Sequence, residues 1–110
     1  MENARKKDLI REYKERKAQP GIYAIRSGDA VWVGISNNLD KQQNSVWFQL
    51  RMNGHMNKAM QAAWNAHGEA AFTYEVLEEI EDDNPQMIAL LLKDRDAHWR
   101  QQLDAGKANN

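Results

Sequence analysis

Asp96 is the residue whose type and place ask most clearly for a chemical explanation. It lies four residues after Leu92 and three before Trp99, so at helical spacing it falls on the apolar stripe Ile88, Leu92, Trp99 and Leu103. A lone buried carboxylate is costly, so it must meet a partner. Two partners are open: an arginine, such as the neighbouring Arg95 or Arg100, or a hard divalent cation held toward a cleft. His98 stands close enough to carry a proton beside such a site, and equally reads as a surface histidine. Asn57 and Lys58 have side chains that can touch phosphate, and Asn57 can instead cap a helix. The three histidines, His55, His67 and His98, are too scattered for a short metal-ligand pattern. With no cysteine, disulfides, thiolate catalysis and sulfur-ligated zinc are excluded.

These residues need elements to hold them. A chain of 110 residues with 42% hydrophobic side chains is one domain able to bury a core without staples. Residues 3–18, rich in Lys, Arg and Glu, predict a charged helix with the thin apolar stripe Leu9, Ile10 and Tyr13, ended by Pro20-Gly21. Ile22–Arg26 and Val31–Ile35 read as strands joined by the tight turn Ser27-Gly28-Asp29-Ala30. Both are apolar on both faces, so helices should cover them. Asn38 can cap a helix running to about Met52, with Leu39, Gln43, Val46, Trp47 and Leu50 on one face. After Asn53-Gly54 a second helix follows, with Met56, Met60, Ala63, Trp64 and His67 aligned and Gly68 as its stop. Residues 72–76 alternate as a third strand, and Asn84-Pro85 opens the last helix. The expectation is an α+β domain of order α-β-β-α-α-β-α, with a small, mainly antiparallel, three-stranded sheet flanked by helices. Its parts are a charged helix over 1–19, the domain proper over 20–104 and a polar tail over 105–110.

The net charge of -1 is unevenly spread: residues 1–58 carry +5 and residues 59–110 carry -6. A basic face toward a polyanion and plain solvated helix faces both give such a split. The longest apolar runs, Ala30–Val33 and Ile88–Leu92, fall far short of the ~20 residues of a membrane span. No signal-peptide pattern precedes the domain, so the expectation is a cytoplasmic protein without a membrane partner. Trp47, Trp64 and Trp99 each sit on an apolar stripe and read as core; Trp32 is equally placed for core filling and for stacking on a ligand.

Gly21-Ile22-Tyr23 and Trp32-Val33-Gly34 resemble the paired motifs of the GIY-YIG nuclease superfamily. The stretches Asn57–Asn65 and His67–Phe72, then Glu75-Val76-Leu77-Glu78, are also similar to members of that family. The likeness spans residues 20–103. It implies DNA as partner and phosphodiester cleavage with one divalent metal, Mg2+ or Mn2+. A tyrosine from each motif would sit at the scissile phosphate, an arginine on the first helix after the hairpin would steady its charge, and a glutamate on a later helix would bind the metal. Such parts suit a reaction limited by placing a nucleophile and neutralising developing charge.

Carried over position by position, Tyr23 matches the first tyrosine and Trp32 stands at the second. Its indole can donate a hydrogen bond but is no base. The arginine position falls at Gln42, or at Ser45 in a shifted alignment, and a histidine position falls at Val46. The metal-binding glutamate corresponds to Asp96, one methylene shorter. Lys41, Arg26 or Lys58 could replace the lost cation, whereas Arg51 is about half a turn out of phase with Gln42. The resemblance therefore implies catalytic positions Tyr23, Trp32, Gln42 and Asp96, the last also the metal ligand, with Lys41, Asn57 and Lys58 on nucleic acid. With two of four positions lost, the leading expectation is a nucleic-acid-binding domain with weak or absent cleavage, and no metal is needed unless it cuts. The rivals are an active Mg2+-dependent endonuclease using Tyr23 and Asp96, and a protein-interaction module.

Overall fold

A computed structural model of the chain describes residues 18–108. The helix expected over residues 3–18 lies outside them, apart from Ala18, which is not helical.

The apolar runs form strands as their composition demands. β1 (Gly21–Ser27) and β2 (Ala30–Ser36) pair antiparallel from Ser27↔Ala30 to Gly21↔Ser36 around the two-residue turn Gly28-Asp29. Helix α1 covers Leu39–Arg51 and α2 covers Lys58–His67; β3 is Phe72–Glu79 and α3 is Pro85–Leu103. β3 pairs antiparallel with the other side of β1, so the hairpin lies at the centre of the sheet.

Strand alternation sorts side chains to two covered faces. Tyr23, Ile25 and Trp32 face α1 and α2, where they join Val46, Trp47, Leu50, Met60 and Trp64. Ile22, Ala24 and Val33 face α3, with Leu92 and the partly buried Ile88 and Trp99. The expected helix-covered hairpin is what the structure contains.

The sheet has four strands, not three. After α3, Asp104 adopts a left-handed conformation (φ 52°) and turns the chain back, so that Gly106–Lys107 (β4) runs parallel to β2 at its free edge. The backbone N–H of Ala108 donates to the Val33 carbonyl at 2.9 Å, and Ala108 is fully buried. Part of the expected polar tail is thus built into the sheet.

Three smaller expectations also shift. Asn38 precedes α1, yet its side chain makes no capping bond; the buried Ser36 hydroxyl accepts from the Asn38 N–H instead. Met56 lies before α2 and is exposed, because Asn57 starts the helix by accepting from the Met60 N–H at 2.9 Å. His67, expected on the apolar face of α2, is exposed. No helix among the described residues is long and apolar enough to cross a membrane.

Gly34 is required by packing. A Cβ there would stand 2.6 Å from both Cζ and Oη of Tyr23, its cross-strand partner. Gly34→Ala should therefore lower stability by about 1–3 kcal/mol, the usual range for overpacking. A Tyr23→Leu background, which has no ring tip to collide with, should remove most of that loss in urea denaturation.

Candidate active site

The two motifs meet at Tyr23 and Gly34. Glycine at 34 leaves room for the phenol to lie across β2, so the Tyr23 side chain is completely buried. Its hydroxyl finds no hydrogen-bond partner among the described residues. Burial pushes the Tyr23 pKa well above 10, and the nearby Tyr74 and Asp96 push it further the same way. A phenol held neutral to that degree can donate a hydrogen bond; it does not serve as a base near neutral pH.

Tyr74, on β3, is a site residue that the motifs do not reveal. Its ring stacks on Tyr23 at 5.6 Å between centroids with 25° between planes, and its hydroxyl donates to the Leu39 carbonyl at 3.3 Å. Burial and the charge of Asp40 raise its pKa to about 12. The only signal in the sequence is the alternation of Phe72 and Tyr74, which puts both on the face shared with Tyr23.

Trp32 also takes this face but points into the core. It is 7% exposed and stacks on Phe72 at 6.3 Å with nearly parallel planes. Trp47 and Trp64 meet Phe72 edge-on, so these indoles are core side chains, as their stripes imply. Trp99 packs beside the other cluster and donates through Nε1 to Glu78.

Asp96 approaches from the other side of the sheet, on α3. It is 4% exposed, and its Oδ2 accepts from Nε of Arg100, one turn later, at 3.0 Å. Of the partners left open by the sequence, arginine is the one the structure contains. Arg95 points elsewhere, to Glu78 at 2.8 Å. A β-bulge explains why Glu78 is available. The register slips between Ile22 and Tyr23, so Leu77 is an extra residue and Glu78 pairs with Ile22, on the α3 face. Burial raises the Glu78 pKa, but hydrogen bonds from Arg95 and Trp99 and the charges of Arg95 and His98 outweigh it and hold the group below 4.5.

The remaining candidates lie around this centre without converging on it. Lys41 is exposed, Gln42 half-buried, Ser45 exposed and Val46 buried, all on α1, which begins beside the Tyr74 hydroxyl. Asn57 caps α2 and also donates to the Lys107 carbonyl at 2.6 Å, which ties it to β4 at the sheet edge; Lys58 is exposed next to it. Each of the four arginines among the described residues is paired: Arg26 with Glu75, Arg51 with Glu69, Arg95 with Glu78 and Arg100 with Asp96.

The divalent metal implied by the resemblance can be tested on this donor set, and the residues present do not fit it. Asp96 is a single carboxylate facing inward, with one oxygen already on a guanidinium. Among the described residues no three His, Asp or Glu side chains gather as a metal group.

Tyr23→Phe separates structure from function. Removing an unpartnered buried hydroxyl should leave stability unchanged or raise it by about 1 kcal/mol, since such a group carries its full desolvation penalty. A urea midpoint that falls clearly would show that the hydroxyl has a partner.

A central antiparallel hairpin with Gly-Ile-Tyr in one strand and Trp-Val-Gly in the next, covered by helices on both faces, makes a small α+β domain. Solved structures agree. The catalytic domain of homing endonuclease I-TevI matches with a TM-score of 0.68 and 26% identity, covering 82% of this chain and 96% of that one. A glutamate-to-alanine mutant of the catalytic domain of intron endonuclease I-TevI matches with a TM-score of 0.67 and 26% identity, covering 78% and 84%. No protein-family model matches the chain, and no curated protein does. In fold the chain is similar to the GIY-YIG catalytic domain of these endonucleases.

Proposed function

We propose that this chain is a GIY-YIG domain that binds nucleic acid, DNA foremost, with weak or absent phosphodiester cleavage. The observation that carries the reading is the state of Asp96. The one carboxylate at the metal position is buried and bonded to Arg100, so it is neutralised from within the protein. Three further features support it. The helix position that would supply a phosphate-steadying arginine holds Gln42 or Ser45; Tyr23 is sealed under Tyr74; and Trp32 is part of the core. The endonuclease domains with the same fold support DNA as the polyanion. Lys41 and Lys58, both exposed, supply side chains for phosphate contact, with Asn57 beside Lys58. The cysteine-free composition supports a reducing compartment, the cytoplasm.

The test is the anisotropy of a labelled DNA duplex titrated with the protein as salt is raised. Binding should be measurable at low ionic strength and fall linearly on logarithmic axes, because each phosphate contact releases counterions. A flat anisotropy at low salt would overturn the reading. In favour of a protein-interaction module stands one observation, the exposed row Phe48, Met52 and Met56 along α1 and the turn after it. That reading expects self-association or capture of a protein partner without DNA binding.

A further inference from the structure

The large apolar side chains exposed among the described residues fall into two groups with opposite surroundings. Val76, Met87 and Leu90 lie on β3 and α3, on either side of the carboxylates Glu78, Glu79, Glu81, Asp82 and Asp83. Phe48, Met52 and Met56, at 60%, 66% and 67% exposure, lie on α1 and the turn after it. Residues 41–68, which carry most of α1 and all of α2, hold three Lys or Arg and no Asp or Glu. The other described residues hold five against twelve. An approaching polyanion is thus steered to the face of α1 and α2.

On that face the apolar row has a definite shape. At helical spacing Lys41, Ser45, Phe48 and Met52 share one side of α1, and all four are exposed. At 1.5 Å per residue this ridge is ~16 Å long. Asn44 and Gln49, also exposed, flank it with amides that both donate and accept. The turn beyond is fixed by hydrogen bonds. Asn53 is left-handed (φ 57°), the Gly54 N–H donates to the Gln49 carbonyl at 2.8 Å, and the His55 N–H donates to Gln61 Oε1 at 3.0 Å. Gln61 in turn donates to the Leu50 carbonyl at 2.9 Å. A platform ordered in advance loses little further freedom when a ligand settles on it. Arg51 is held by Glu69, whereas neither Lys41 nor Lys58 has an ion-pair partner among the described residues.

We infer that this ridge binds an unpaired nucleic-acid strand, with Phe48 stacking on a base and Lys41 and Lys58 on the phosphates. This rests on the nucleic-acid-binding reading and adds where the strand lies and that its bases are unstacked. A regular duplex keeps its base faces covered and offers an exposed ring nothing to stack on; a single strand or a splayed end does. A protein partner also covers apolar rows, but surroundings free of carboxylates favour a polyanion.

The test is anisotropy of a labelled mixed-sequence single strand, and of the duplex made from it, with the full chain. Thermal melts control for folding. Phe48→Ala should bind the strand roughly 5- to 100-fold more weakly, the range for losing one stacked base. Its salt slope should not change, because the ring carries no charge, and its duplex affinity should stay at the wild-type value. Phe48→Trp should keep strand affinity, and Met52→Gln, one turn on, should weaken it in the same sense as Phe48→Ala. Lys41→Gln should make the slope shallower by about 0.7. Leu90→Ala, equally apolar and exposed but among carboxylates, should bind like wild type.

Phe48→Ala that binds the strand like wild type, or loses strand and duplex affinity equally, overturns the stacking role and leaves the DNA-binding reading standing. So does an equal loss in Leu90→Ala. A mass that rises with concentration and is reset by Phe48→Ala, with strand binding intact, assigns the row to a second copy of the chain instead. A wild type that binds neither strand nor duplex removes the underlying reading itself.

Discussion

Replacing Phe72 by alanine should lower the stability of the domain by about 3–5 kcal/mol, the range for a fully packed phenylalanine. The size follows from its neighbours. Phe72 is 6% exposed, lies flat against Trp32, and receives Trp47 and Trp64 at centroid distances of 6.2 and 5.2 Å. It thus joins strands β2 and β3 to both helices on that face. Three indoles cannot all collapse into the space left by one ring, so the cavity should persist. Because Trp32 occupies a motif position, the loss should also loosen the strand that holds Gly34 under Tyr23. Urea denaturation measures the first effect, and the fluorescence of the indoles reports the second. A loss below about 1 kcal/mol would contradict the packing described.

Arg100→Ala should have the next largest effect, a loss of about 3 kcal/mol, because it leaves Asp96 charged and unpaired in the interior. The lower end of the range for buried pairs applies, since Arg100 itself keeps partial contact with water. The double variant Asp96→Asn with Arg100→Ala should recover much of that loss. The carboxylate is then gone, and what remains is a missing side chain at a partly exposed position. A double-mutant cycle gives the coupling directly. Losses that simply add would mean that the two side chains do not depend on each other, and would remove the structural basis for treating them as a unit.

Several features were legible in the sequence because local patterns dictate them. The hairpin follows from two apolar runs and a Gly-Asp turn, and α3 from Asn84-Pro85 and its stripe, with the Asn84 side chain accepting from the N–H groups of Gln86 and Met87. Asp96 could be singled out by periodicity alone, since a helix of 3.6 residues per turn brings it into line with Leu92 and Trp99.

The partner of Asp96 could not be chosen that way. Arg95 and Arg100 were both in reach, and only the bulge in β3 decided it, by delivering Glu78 to Arg95 and leaving Arg100 for Asp96. β4 carries no pattern of its own: two residues pair with β2 because α3 ends beside it. The stacking of Tyr74 on Tyr23 depends on strand register, which is a property of the assembled sheet. Exposure of Met56 follows from where the helix starts: Asn57 is its cap and Lys58 its first residue, two positions beyond Met56.

Supercoiled plasmid on a native gel separates the proposed DNA-binding domain with weak or absent cleavage from a working endonuclease. Wild type and Asp96→Asn are incubated with plasmid in EDTA, Mg2+ and Mn2+, and each sample is run both intact and after the protein is stripped. Wild type should retard the plasmid equally in all three, and the stripped plasmid should remain supercoiled. Conversion to nicked or linear DNA that requires the metal and disappears in Asp96→Asn would overturn the proposed function and show a working endonuclease.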